Sequence, residues 1–204
     1  ADGILIRAMA LKNLGSMPNR ERITVIEDFF TARNYLNKIR DRAKIITTIA
    51  MFYDVDDPRK FVKDIQAVLD PCGLWIVQMS YLPLMLAQTV FDNICHEHLC
   101  YYSLASMENL LVLLGLEVFD VEVNDINGGS FRLYIKKADC PDWKVTQRVH
   151  ELRRYEFALA LETDTPYSQF RHRALEVKRQ LRGMIQGIRK RGKTVFVYGA
   201  STKG

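Results

Sequence analysis

The densest group of reactive side chains in the sequence is the segment Phe91–Tyr102. It contains His96, Glu97 and His98 together with two cysteines and two tyrosines. Imidazole titrates near neutral pH, and a neighbouring carboxylate can fix its tautomer and raise its basicity. We therefore interpret a histidine beside Glu97 as a proton acceptor for acid–base catalysis.

Two other interpretations of this segment stay open. The histidines could merely satisfy backbone groups in a polar loop. The run Cys-His-Glu-His-Leu-Cys could instead bind zinc, but structural zinc sites usually pair their ligands as CxxC or HxxxH, with a second pair far away. The sequence shows no such pairs, so no metal site is predicted.

The elements around this segment follow a βα pattern. Apolar, β-branched runs alternate with helical patterns, as in a mostly parallel sheet. Strands are predicted at Ile23–Glu27, Lys44–Ala50 and Leu74–Met79. In doubly wound sheets, the loops at the carboxyl ends of strands form the ligand crevice. The reactive segment follows the third of these strands, and this position favours a functional role.

Two helices are predicted from their caps and their apolar spacing. Asp57 can cap the first helix with Pro58 at its first position, and the turn Asp70–Gly73 ends it. Its apolar face comprises Phe61, Ile65, Val68 and Leu69. The second helix, Leu104–Leu114, can be capped by Ser103 and stopped by Gly115.

Beyond Gly115 the pattern changes to a period of two residues, which predicts strands. An antiparallel hairpin is expected over Glu117–Lys136, with its turn at Asn124–Ser130. From Pro141 the chain is helical and charged. A long helix is expected from Thr165 to Gly192, with one apolar seam for a neighbouring helix or domain. A strand at Thr194–Tyr198 and a small-residue loop at Gly199–Gly204 then suggest the start of a second α/β unit.

The composition is that of a globular protein, with 48% hydrophobic and 26% charged residues. The net charge of +5 is small and arises largely from residues 171–193, so no nucleic-acid surface is predicted. The apolar runs are far shorter than the roughly 20 residues of a membrane span, so no membrane association is expected. The four cysteines include no CxxC pair, and a reducing, cytoplasmic setting is the default expectation.

Six motifs in order along nearly the whole chain resemble the S-adenosylmethionine-dependent C-methyltransferases that act on nucleotide-linked deoxyketosugars. The motifs are Ala50–Pro58, Leu69–Gly73, Ser80–Pro83, Phe91–His98, Ile126–Ser130 and Tyr198–Gly204. The resemblance implies a Rossmann-like, doubly wound class I methyltransferase sheet that is mostly parallel with an antiparallel last strand. It also implies an incomplete methyltransferase domain at 1–137, a helical linker at 138–192 and the start of a C-terminal α/β domain at 193–204.

The resemblance assigns the chemistry to two residues. His98 would remove the proton from the sugar carbon next to the ketone, and Glu97 would orient His98 or assist the enolate. The carbanion would then attack the methyl group of S-adenosylmethionine in line, a step that depends on positioning and water exclusion.

The cofactor residues implied by the resemblance lie in three places: Asp2 and Gly3, Asp28 and Phe29, and Ala50 and Met51. The first pair resembles the tail of a glycine-rich loop, the second would hold the adenine, and the third would line the cofactor. The stretch between Gly3 and Asp28 is too short for the elements expected there. An incomplete cofactor pocket, and a fragment of a larger enzyme, are therefore expected; the family's amino-terminal zinc module would lie upstream or be absent.

The expected substrate contacts are Tyr81, His96, Tyr101, Tyr102, Asn127, Ser201 and Lys203. Many relatives have a tyrosine where this chain has Cys95, and its enolate-stabilising role would pass to another tyrosine because a thiol is a weaker donor. Lys203 and the backbone amides of Gly199–Gly204 could meet a diphosphate. Two alternatives stay open: a catalytically silent nucleotide- or sugar-binding module, and a methyltransferase that acts on oxygen or nitrogen.

Overall fold

The computed structural model describes residues 24–199. The chain forms two compact units, Ala1–Arg40 and Asp41–Gly204, which we describe separately. In the first unit, helix α1 (Ala32–Lys38) begins after Thr31, whose side chain accepts a hydrogen bond from the Asn34 amide. The predicted strand Ile23–Glu27 is wrong for its described part, since residues 24–27 form no strand. A strand needs a hydrogen-bonding neighbour, and residues 24–40 contain no strand that could serve.

The second unit contains a four-stranded sheet in the order β1-β2-β4-β3. Its strands are β1 (Ala43–Ile49), β2 (Leu69–Ser80), β3 (Leu116–Asn124) and β4 (Ser130–Lys137). Strand β1 is parallel to β2, whereas β4 is antiparallel to both β2 and β3. The last strand is therefore inserted antiparallel into an otherwise parallel sheet, which confirms the predicted α/β Rossmann-like fold and its hairpin.

Five helices accompany this sheet within residues 41–199. They are α2 (Pro58–Val68), α3 (Leu82–Gln88), α4 (Leu104–Val112), α5 (Gln147–Leu159) and α6 (Thr165–Lys190). The predicted caps are confirmed, because Asp57 accepts from the Lys60 amide and Ser103 accepts from the Ser106 amide. Short 3₁₀ turns occur at Phe52–Asp54, Phe91–Asn93 and Ile126–Gly128.

The core lies between the sheet and the helices that cover it. Its fully buried side chains include Phe52, Ile65, Trp75, Met107, Phe131, Leu133 and Ile135. The strict alternation expected in β3 is interrupted by a register shift between Val118 and Asp120. Because of this irregularity Val118 and Val121, three residues apart, are both buried against the core.

Two further elements differ from the sequence prediction. Asp70–Gly73, expected as a turn, belongs to β2, and the Asp70 carboxylate accepts a hydrogen bond from the Cys72 amide there. The strand expected at Thr194–Tyr198 is not formed, and its side chains are exposed, because no strand within residues 24–199 pairs with it. Residues 200–204 of the following loop lie outside the described residues.

The edge of the sheet where β2 begins is joined covalently. Cys72 and Cys140 form a disulfide that links β2 to the segment after β4. Beside it, the buried Lys136 ammonium donates to the Cys140 carbonyl at 3.0 Å and pairs with Glu117 at 3.0 Å. This pairing is not predictable from the sequence, because spacing along the chain does not show which cysteines meet.

No helix within residues 24–199 has both the length and the apolar character that crossing a lipid bilayer requires.

Candidate active site

The reactive segment lies at the carboxyl edge of the sheet. Strand β1 is followed by Ala50, in the left-handed conformation with φ 53°, and then by the turn Phe52–Asp54. Strand β2 is followed by Leu82–Ser103, which we call the His98 segment. The segment leaves and returns at a parallel bridge between Tyr81 and Tyr102, so its two ends are adjacent.

His98 is half-buried and its ring is oriented by a backbone carbonyl. Its Nδ1 lies 2.9 Å from the carbonyl oxygen of Asn93. Because a carbonyl can only accept, the hydrogen bond requires the proton on Nδ1 and leaves Nε2 with its lone pair in the neutral ring. The orienting contact expected from Glu97 is thus made by Asn93. Glu97 itself is exposed.

Tyr53 holds His98 from the neighbouring loop. Its ring centroid lies 4.3 Å from that of His98, and the Tyr53 side chain is 9% exposed. The Tyr53 carbonyl also accepts from the amides of Leu99 at 2.9 Å and Cys100 at 3.1 Å. One residue after β1 therefore fixes both the imidazole and the backbone that follows it. Sequence reasoning left this contact unassigned, although Tyr53 belongs to one of the quoted motifs.

Four charged or titratable groups interact around the imidazole. Partial burial raises the pKa of Asp54; His98 opposes this shift and Glu97 adds to it. Burial raises the pKa of Tyr53, and Asp54 and Cys95 contribute in the same direction. Asp54, Glu97 and His98 therefore lie close enough to interact within one small region of the site.

The remaining side chains of the segment take different positions. The Tyr101 hydroxyl donates to the Asn93 carbonyl at 3.3 Å, and its ring centroid lies 6.4 Å from that of His98. Tyr101 therefore shares the acceptor of His98, and its pKa is raised by burial and by Cys95. His96 is exposed, and Cys95 is half-buried.

Tyr81 and Tyr102, expected to contact the substrate, are instead buried in the structure. Tyr81 is 1% exposed, and its hydroxyl donates to the Glu156 carboxylate at 2.7 Å. Tyr102 is 7% exposed, packs on Phe52, and buries a hydroxyl that lacks a well-formed hydrogen bond within residues 24–199. Burial raises the pKa of both hydroxyls. Both tyrosines therefore belong to the framework beneath the site.

The loop carrying Asn127 lies at the same edge. Asn127 is exposed and left-handed, and the Gly129 carbonyl accepts from the Tyr81 amide at 3.1 Å. Gly129 has φ 110°, and a Cβ there would lie 2.6 Å from the Leu84 side chain. Only glycine allows this conformation together with this approach to α3, which explains why the motif brings Asn127 beside the His98 segment.

The expected cofactor residues are only partly described. Ala50 and Met51 are exposed directly after β1, two residues before Tyr53 on the side of the sheet edge that carries His98. This open apolar edge fits one wall of an S-adenosylmethionine site. In the first unit, Phe29 is 84% exposed, and its amide donates to the Asp28 carboxylate. Asp2, Gly3, Ser201 and Lys203 lie outside the described residues.

Comparison with known proteins gives two family matches along the chain. Residues 5–121 match the methyltransferase domain, and residues 125–204 match the C-methyltransferase C-terminal domain. The chain is 32% identical over 195 residues to the C-methyltransferase NovU of Streptomyces niveus. The match covers 95% of this chain and 46% of NovU, so the chain spans less than half the length of that relative.

Solved structures show a weaker likeness. An O-methyltransferase family protein from Burkholderia thailandensis is 14% identical, with 66% of this chain and 42% of that chain covered and a TM-score of 0.46. A methyltransferase from Aquifex aeolicus is 16% identical, with 62% of this chain and 60% of that chain covered and a TM-score of 0.41. At these scores the likeness adds nothing to what the sheet topology shows.

The methyltransferase domain model covers more than half of the chain, and the second match continues it with the C-terminal domain of C-methyltransferases. The chain therefore belongs to the methyltransferase family, whose cofactor is S-adenosylmethionine.

Proposed function

We propose that the protein transfers a methyl group from S-adenosylmethionine to a carbon next to the ketone of a nucleotide-linked ketodeoxysugar, with His98 as the base. The observation that carries this proposal is the hydrogen bond from His98 Nδ1 to the Asn93 carbonyl. It leaves Nε2 of a half-buried imidazole as the proton acceptor at the sheet edge where ligands bind in such folds.

A base is needed because the acceptor is carbon. Oxygen and nitrogen nucleophiles have a lone pair, whereas a carbon next to a ketone becomes nucleophilic only when its C–H bond is broken. His98 Nε2 takes the proton, and the electron pair of the C–H bond stays on the substrate as an enolate. The imidazolium keeps its Nδ1–H bond to the Asn93 carbonyl and lies within electrostatic reach of the Asp54 carboxylate.

The cofactor supplies an electrophilic methyl group on a positively charged sulfur. The residues of this chain prepare the site: Ala50 and Met51 form one wall, and Tyr53 and Tyr101 flank the imidazole on its aromatic sides. Of the three tyrosines expected near the enolate, Tyr101 is the one that is not buried, and its hydroxyl would donate to the enolate in place of the Asn93 carbonyl. These contacts hold the reacting groups in place, and positioning supplies much of the rate in such a transfer.

The direct test is His98→Gln in the full-length protein, measured for turnover and for cofactor affinity. Loss of the base is expected to lower turnover by about 10²–10⁴-fold. Cofactor affinity should change by no more than a few fold, because His98 is proposed to act on the sugar and not on the cofactor. The exposed His172 on α6 provides the matched control, His172→Gln. Unchanged methylation in His98→Gln would exclude His98 as the base.

A second experiment separates carbon from other acceptors. A nucleotide-linked ketodeoxysugar is incubated in D₂O with the protein but without S-adenosylmethionine, and the C–H beside the ketone is followed by NMR. We expect exchange with the wild type and none with His98→Gln. A product carrying the methyl group on oxygen or nitrogen, without such exchange, would favour the heteroatom alternative.

A further inference from the structure

A buried carboxylate lies beneath the site and has no part in the proton transfer. Glu156 on α5 is 4% exposed. Its Oε1 accepts from the Tyr81 hydroxyl at 2.7 Å and from the Leu104 amide at 2.6 Å, and its Oε2 accepts from the Ala105 amide at 2.9 Å. Burial of a charge is costly unless it is fully hydrogen-bonded, and these three donors meet that condition.

The three donors stand at the two ends of the His98 segment. Tyr81 immediately precedes the segment, and Leu104 and Ala105 immediately follow it. The same two ends are joined by the hydrogen bond from the Leu82 amide to the Tyr102 carbonyl at 2.9 Å. The Glu156 side chain, distant in sequence, therefore joins the two ends of the loop that carries His98.

The end of the segment at Glu156 is also the beginning of a helix. The first amides of α4 need acceptors outside the helix, and its amino end carries partial positive charge. Glu156 accepts from the first two amides, and Ser103 accepts from the Ser106 amide through its side chain. The carboxylate thus fixes where α4 begins and hence where the His98 segment ends.

The carboxyl end of α3, inside the His98 segment, contacts helix α6. Arg173 on α6 donates to the Leu86 carbonyl at 2.5 Å and to the Thr89 hydroxyl at 2.9 Å. Phe170 of the same helix packs on Met85 and Leu86. Helix α5, which carries Glu156, and helix α6 lie in the part matched by the C-terminal domain. The His98 segment lies in the part matched by the methyltransferase domain.

We propose that Glu156 is a positioning residue for His98: the carboxylate of α5 pins both ends of the His98 segment and so sets the place of the imidazole. The proposal rests on the proposed function, in which His98 is the base. Helices α5 and α6 are, on this account, a support of the catalytic loop as well as a linker.

The test compares Glu156→Gln with the control Glu151→Gln, an exposed glutamate on the same helix. Glutamine keeps the volume but turns an NH₂ group toward a backbone amide, so one bond becomes a repulsion. In Glu156→Gln we expect kcat to fall by about 100-fold with little change in KM or cofactor affinity. We also expect faster hydrogen exchange at the Leu99 and Cys100 amides than at core amides of β2. Glu151→Gln should change neither.

Exchange and turnover separate the two proposals. If His98→Gln keeps its activity, the proposed function fails, whereas the exchange data still report on Glu156. If Glu156→Gln leaves kcat and the exchange of Leu99 and Cys100 at wild-type values, the positioning role is overturned. An exchange change that is uniform over the whole sheet overturns it too, because Glu156 would then be a general stabiliser.

Tyr81→Phe is a milder second variant, which tests the same proposal if Glu156→Gln fails to fold. It removes one hydroxyl and leaves Glu156 bonded to both α4 amides. A smaller loss of kcat, of about tenfold, and a local quickening of exchange at Leu99 and Cys100 are expected. Wild-type kcat and exchange in Tyr81→Phe would contradict the pinning of the first end.

Discussion

The two edges of the sheet in residues 41–199 are built in different ways. At the edge where β2 begins, a disulfide, a buried ammonium and an ion pair join β2, β3 and the segment after β4. At the opposite edge, where β1 and β2 end, the chain is held by backbone carbonyls and by left-handed residues such as Ala50 and Asn127. His98, Asp54 and Glu97 remain exposed or half-buried there, whereas the Glu156 carboxylate that joins the two ends of the His98 segment is buried.

We infer from this difference that the first edge contributes mainly to stability and the second mainly to catalysis. At the first edge the polar groups are paired with one another. Changes there should therefore lower the free energy of unfolding and leave kcat unchanged. At the second edge, backbone hydrogen bonds and the Glu156 carboxylate hold the loops, and the side chains around His98 are exposed or half-buried. Changes to the side chains around His98 should affect catalysis more than folding, whereas changes to the backbone conformation of the loops should also affect stability. Each of the following predictions tests one side of this comparison.

The largest effect on stability is expected from the disulfide. Replacing both cysteines, Cys72→Ser with Cys140→Ser, should lower the free energy of unfolding by about 2–5 kcal/mol, because the bond constrains a long loop of the unfolded chain. Chemical denaturation measures the loss, and kcat should stay at its wild-type value. A reducing agent should destabilise the wild type and not this variant. A large fall in kcat would show that the two edges are coupled.

A glycine at the catalytic edge gives the next effect. Gly129→Ala should cost about 1–3 kcal/mol, because the new methyl group meets Leu84 and the positive φ is unfavourable for alanine. Gly183→Ala on α6 is the matched control, since open space surrounds it and alanine favours helix by up to about 1 kcal/mol. Thermal denaturation compares the two. Equal stability of both variants would argue against the close approach of this loop to α3.

The ring of Tyr53 tests the hold on the imidazole. Tyr53→Leu removes an aromatic contact worth about 0.5–1.5 kcal/mol, and kcat should fall accordingly with little change in KM. Tyr53→Phe keeps the ring and should retain most of the activity. An identical loss in both would mean that the hydroxyl, rather than the ring, is the important group.

The smallest effect concerns Asp54. Its raised pKa means that the ionised carboxylate is disfavoured in the folded state, so it costs stability at neutral pH. Asp54→Asn should therefore raise the melting temperature at pH 7, and the gain should vanish as the pH falls below the ordinary pKa of aspartate. Asp56→Asn serves as the control. A loss at pH 7 would contradict the direction of the shift.

Local rules predicted much of this fold and part of the site. Asp57 and Ser103 cap their helices as expected, because capping depends on a few neighbouring residues. The hairpin was readable from its alternation and its glycine-rich turn. The contacts that define the site were not predicted. The Asn93 carbonyl orients His98, the Tyr53 ring packs on it, and the Tyr53 carbonyl accepts from the two amides that follow His98, and no sequence pattern displays these contacts.

Contacts between distant parts of the chain were harder still. Tyr81 looked available to a substrate, but its hydroxyl is used by Glu156, which belongs to a segment read only as helical and charged. Thr194–Tyr198 has strand-forming residues and yet no strand, because propensity alone does not provide a pairing neighbour. Long-range hydrogen bonding, rather than local preference, decides both cases.

The central claim is that His98 presents an unprotonated Nε2. The full-length protein labelled with ¹⁵N in its histidine rings tests it by long-range ¹H–¹⁵N NMR above neutral pH, with His98→Gln to assign the signal. We predict the Nδ1–H tautomer for His98, with Nε2 at a shift typical of an unprotonated ring nitrogen. A signal showing the proton on Nε2 would contradict the hydrogen bond to Asn93 and the base that depends on it.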